Sequence, residues 1–127
     1  MTELIQRWLN DIYDFNIDED GYYGPETEMA LVMAYQTELN EQFDRGLEVD
    51  GEYGPLTSNA YVRVREGARG NITRIVQSIL YLKGYDIEDL DGIFGNETEF
   101  ALEDFQRDYG LRPDGVIGKN TFDRLFA

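Results

Sequence analysis

The sequence predicts an all-α fold of two tandem three-helix repeats related by pseudo-symmetry, with loop-rich junctions, and three observations carry that expectation. One phrase, Asp-Gly-x-x-Gly-x-x-Thr, is written four times, at 20–27, 50–57, 91–98 and 114–121. The first two copies begin 30 residues apart and the last two 23 apart, so they group as two pairs. A second level of repetition sets Ile5-Gln6-Arg7-Trp8-Leu9 against Val76-Gln77-Ser78-Ile79-Leu80, at the offset of 71 that also relates Asp20 to Asp91. Between the phrases, apolar residues recur at spacings of three and four, and no long alternating pattern competes. Repetition on this scale decides the architecture before any single residue does.

The first helix is expected over 2–14, where Leu4, Ile5, Trp8, Leu9, Ile12 and Tyr13 share one face. The phrase that follows is a loop-to-helix junction. Asp-Gly makes a turn, because Asp bonds nearby backbone amides and Gly accepts positive φ. The fourth position (Tyr23, Tyr53, Phe94, Ile117) points inward, and Pro25 or Pro55 opens the next helix without losing a bond. Helices are therefore expected over 25–43 and 55–66 in the first half, and over 72–84, 96–109 and 119–126 in the second. Thr27, Thr57, Thr98 and Thr121 fall in first turns, from which a hydroxyl could reach back to the loop Asp. The repeats are assigned to 1–66 and 71–127, joined by a linker at 67–70. Units of this size are near the lower limit for independent folding, so packing of one half on the other would help.

From Val76-Gln77 and Leu80 through Asp91-Gly92-Ile93-Phe94-Gly95, Phe105-Gln106 and Asp114-Gly115-Val116-Ile117-Gly118 to Thr121-Phe122, the second half resembles the peptidoglycan-binding domain type 1 family. The first half is similar through Gln6, Asp20-Gly21-Tyr22-Tyr23-Gly24-Pro25, Tyr35-Gln36 and the 50–57 phrase. It departs in the longer 38–47 connection and at Ser58-Asn59-Ala60, where the family has an aromatic soon after the Thr. The resemblance implies a three-helix peptidoglycan-binding-like fold and a binding module of the kind attached to a separate hydrolase.

Composition narrows the chemistry. With no Cys and no His, zinc sites built on those ligands, Cys-His and Ser-His triads and imidazole acid–base catalysis are excluded. The 26 Asp and Glu residues could supply a glycosidase pair, but most fall on helix faces or in repeated turns. No enzymatic role and no cofactor is expected. The opening of a calcium loop at Asn16-Ile17-Asp18-Glu19-Asp20-Gly21 ends on Thr27 where a bidentate Glu is required, so a solvated turn is expected there and no metal.

The formal charge of −15 speaks against nucleic acid as a partner, since that binding is driven by phosphate neutralisation. Long-range attraction to an anionic wall is likewise absent. With a Debye length of about 8 Å, short-range hydrogen bonds and stacking can still operate. Met1-Thr2-Glu3 leads straight into an amphipathic helix, without a secretory signal or a transmembrane stretch. The expected setting is cytoplasmic synthesis with carriage by a bacteriophage virion or release on lysis, and no membrane partner. The expected ligand is cell-wall peptidoglycan, through its glycan or stem peptide. The competing expectation is a structural or adaptor protein of a virion that uses the same scaffold to contact other virion proteins. Tyr22, Tyr53, Asn96, Gln106, Arg107 and Asn120 lie in or near the junctions and carry the stacking, amide and guanidinium chemistry that sugars and peptides need.

Overall fold

The computed structural model describes every residue, 1–127, as six α-helices with no β-sheet. These are α1 (Thr2–Tyr13), α2 (Pro25–Phe43), α3 (Pro55–Asn59), α4 (Asn71–Leu82), α5 (Asn96–Asp108) and α6 (Lys119–Leu125). The chain divides into two compact units, Met1–Thr57 and Ser58–Ala127.

In the first unit α1 packs on α2. The apolar stripe of α1 buries Ile5, Trp8 and Leu9, while α2 contributes Ala30, Leu31, Ala34, Tyr35 and Leu39. Burying the larger of these side chains, such as Ile5, Leu9, Leu31 and Leu39, stabilises by roughly 1.5–3 kcal/mol each. The Trp8 ring meets Tyr13 edge-on at 5.6 Å, and Tyr13 stacks on Phe15 at 5.5 Å, which closes the end of α1. Both helices stop at an aspartate in the left-handed region, Asp14 (φ 58°) and Asp44 (φ 55°). Beyond each stop an asparagine turns the chain. The Asn10 side chain exchanges two hydrogen bonds with the backbone of Ile17, and Asn40 does the same with Leu47.

In the second unit α4 packs on α5 and on α6. Ile72, Ile75, Val76, Ile79 and Leu80 of α4 are buried with Leu102, Phe105, Ile117, Phe122 and Leu125. The helix expected over 55–66 ends at Asn59. The cause lies in 61–65, Tyr-Val-Arg-Val-Arg, a short β-branched alternation suited to extended chain. Val64 exchanges two antiparallel backbone hydrogen bonds with Ile117, of 3.1 and 2.7 Å. Farther along, Gly67 donates to Phe94 O, Phe94 to Ala68 O and Gly70 to Gly92 O, each at 2.9 Å. Residues 64–70 are thus stitched to both junction loops of the second unit, and the segment after Thr57 is part of that unit.

Candidate functional site

All four junctions are held by the same device, a buried glutamine. Gln77 donates from Nε2 to Asp91 Oδ1 (3.2 Å), Ile93 O (3.0 Å) and Thr98 Oγ1 (2.9 Å), and its Oε1 accepts from Gly92 N at 2.9 Å. Gln6 treats Asp20, Tyr22, Thr27 and Gly21 in the same way. So does Gln36 with Asp50, Glu52, Thr57 and Gly51, and Gln106 with Asp114, Val116, Thr121 and Gly115. The threonine hydroxyl therefore does not reach the loop aspartate directly; the glutamine amide stands between them and binds both. In each copy the Asp Oδ1 also accepts the N–H two residues on, which closes the turn. At Asp50 this N–H, from Glu52, together with Gln36, holds the carboxyl below its ordinary value. At Asp20 these bonds engage Oδ1, one of the oxygens that a calcium loop would turn toward an ion.

The sequence-predicted residues fall in different places. Tyr22 is 70% exposed, and its ring lies over Gly24, where a Cβ would come within 2.6 Å of Cε2. Tyr53 is half-buried in the same unit. In the second unit Asn96 is exposed at the start of α5. Exposed Arg107 pairs with Asp104 at 3.1 Å. The amide of Gln106 is spent inside its clamp, whereas Asn120 lines a surface groove.

That groove has a volume of about 340 Å³ and lies over the fourth junction. Tyr61 and Arg63 of the stitched segment line it together with Leu111, Arg112, Lys119 and Asn120. Three cations thus face one carboxylate, Asp114, whose Oδ1 is already engaged by Gln106 and by Val116 N. Lys119 Nζ lies 3.3 Å from Asp123 Oδ2, and Asp123 Oδ1 accepts from Ser58 Oγ at 2.7 Å, tying the start of the unit to α6. Arg63 and Arg112 are exposed, and their side chains enter no ion pair or hydrogen bond. The second unit holds nine of the chain's eleven Lys and Arg residues against twelve of its carboxylates.

Of the residues expected from sequence, the structure brings only Asn120 into this groove; Tyr61, Arg63, Leu111, Arg112 and Lys119 were missed. A signal existed in the repeat. Aligning Asp50 with Asp114 places Glu48 opposite Arg112, Pro55 opposite Lys119 and Leu56 opposite Asn120, so polarity changes at three neighbouring sites while the clamped Asp, Gly and Thr stay constant.

The paired clamps and repeated helices define a tandem repeat of one small helical module. The chain belongs to the putative peptidoglycan binding domain family, whose model matches residues 2–60 and again 69–125. It is 33% identical to an uncharacterized Bacillus subtilis protein, FadG, over 98% of this chain and 23% of that protein. A spore cortex-lytic enzyme of Oceanobacillus iheyensis is 36% identical over 49% of this chain and 22% of its own length. Among solved structures, the SleB N-terminal domain superposes with a TM-score of 0.50 at 36% identity, covering 50% of this chain and 88% of that domain. The chain spans about a quarter of the length of these curated relatives.

Proposed function

We propose that this protein is a noncatalytic module that holds bacterial cell-wall peptidoglycan, and that its second unit makes the contact. The observation that carries the reading is the groove over the fourth junction, which gathers Arg63, Arg112, Lys119 and Asn120 beside Tyr61. Family membership supports the wall as target, and the matched relative named as lytic shares with this chain only a fifth or so of its length. A chain without His or Cys has no imidazole base or thiol nucleophile, which supports binding without cleavage. Tyr22, on the first unit, is a candidate for an accessory stacking contact. Carriage by a phage particle, expected from the opening residues, draws no support from the relatives named above.

The test is cosedimentation with purified sacculi stripped of teichoic acid, from several wall chemotypes and across low to high salt. Saturable retention with no release of soluble fragments is expected. Absence of retention from every chemotype would overturn the reading.

A further inference from the structure

Resting on that reading, we propose that the groove recognises peptidoglycan by the free carboxylates of its stem peptides rather than by its glycan strand. A glycan strand is held by stacking on several aromatic faces, and Tyr61 is the one aromatic among the groove's lining residues. Neutral sugars also leave the two unpaired guanidinium groups, Arg63 and Arg112, without a counterpart. A stem peptide supplies what is missing. Its carboxylates match the planar forks of Arg63 and Arg112, which accept such groups bidentately and have no internal partner. Asn120 offers both a donor and an acceptor to a peptide group, and Tyr61 and Leu111 give apolar cover to short aliphatic side chains.

Charge selects the same ligand. A net charge of −15 repels any long polyanion, so no extended acidic polymer is drawn in from a distance. Within a Debye length of about 8 Å, the local excess of positive charge in the groove still governs. A short peptide with one or two carboxylates can enter that field without bringing a polyanionic chain against the acidic faces. In the first unit the corresponding positions are Glu48, Pro55 and Leu56, which would repel or ignore a carboxylate, so recognition of this kind belongs to the second unit alone.

The experiment titrates the full chain, by calorimetry and amide NMR, with three soluble probes. These are a disaccharide–tetrapeptide with free diaminopimelate and terminal carboxylates, the same compound with its carboxylates amidated, and a peptide-free glycan tetrasaccharide. Arg63→Gln and Arg112→Gln are titrated in parallel; both side chains are exposed and unpaired, so either variant should keep the fold. The free-carboxylate probe should bind, and amidation should weaken it about tenfold or more, the scale of one charge-assisted pair. Arg112→Gln should weaken the free-carboxylate probe by a similar factor and leave the amidated probe unchanged. Equal binding of the free and amidated probes, or binding of the bare glycan as tight as either, overturns the inference. If sacculi still retain both arginine variants as well as the parent chain, the inference fails while wall binding stands. If the parent chain neither titrates with any probe nor sediments with sacculi, both fail.

Discussion

Replacing Gln77 by Leu keeps the bulk of the side chain and removes all four of its hydrogen bonds. The side chain is 1% exposed, and Gly92 and Thr98 are buried with it. Asp91 is exposed and can turn to water, but the Gly92 N–H and the Thr98 hydroxyl lose a partner that solvent cannot replace. Each buried orphan costs about 1–3 kcal/mol, and the added apolar burial returns about 1–2 kcal/mol. The net loss is about 1–4 kcal/mol, a large share of the roughly 5–15 kcal/mol that holds a small domain folded. Urea unfolding followed by far-ultraviolet circular dichroism reads the loss, and hydrogen exchange at the Gly92 amide reads its cause. Gln77→Glu sharpens the test. It keeps an acceptor for Gly92 N–H but sets a second carboxylate against Asp91 Oδ1 and the Ile93 carbonyl. Burial and that neighbour raise its pKa in the folded state. The added penalty is therefore present at neutral pH and fades as pH falls through the raised value, when the protonated acid can again donate. A loss below about 1 kcal/mol for Gln77→Leu, with Gly92 exchange unchanged, would refute the clamp as the junction's main support.

Asp44→Gly should stabilise the first unit by about 1 kcal/mol, because it relieves a left-handed non-glycine residue and removes a negative charge from the end of α2; thermal unfolding gives the sign. Gly92→Ala should cost more than Gly21→Ala although both have positive φ, since a Cβ at Gly92 would stand 3.0 Å from the Gly70 carbonyl oxygen while none lies near Gly21. The comparison of their denaturation midpoints isolates that contact from the shared backbone strain of about 1 kcal/mol. Tyr23, whose ionisation is pushed up to about 12 by burial and then by Glu28, should form phenolate late in an ultraviolet titration. Its folded pKa is raised, so its contribution is full below the unfolded value of 10.0 and is lost as pH climbs toward 12. At the acid end Asp50 behaves oppositely: its lowered pKa lends stability above the ordinary 3.8 that disappears as pH falls further, and Asp50→Asn should flatten that limb.

The repeat was legible because a glycine, a threonine and an aspartate at fixed spacing leave a pattern any reader of the chain can align. The clamp was not, although all four glutamines are present in the alignment. Gln6, Gln36 and Gln77 each lie 14 residues before their aspartate but Gln106 lies only 8 before, so linear distance conceals a shared role that three-dimensional approach makes plain. The end of α3 was misplaced for a related reason. Helical apolar spacing and a five-residue alternation overlap at 61–65, and the backbone partner that decides between them, Ile117, is more than fifty residues away. The groove inherits that difficulty: Tyr61 and Arg63 become neighbours of Arg112 only through the same pairing.

That pairing between Val64 and Ile117 also bears on anyone who wishes to transplant the module. The stretch recognised as the second family repeat opens at residue 69, after Tyr61 and Arg63. A fragment cut at that boundary would carry all three helices of the unit and every part of two clamps, yet would present a groove with one bank missing. Grafts, fusions and affinity reagents made from this half should therefore begin at Ser58, so that the strap arrives with the body it completes.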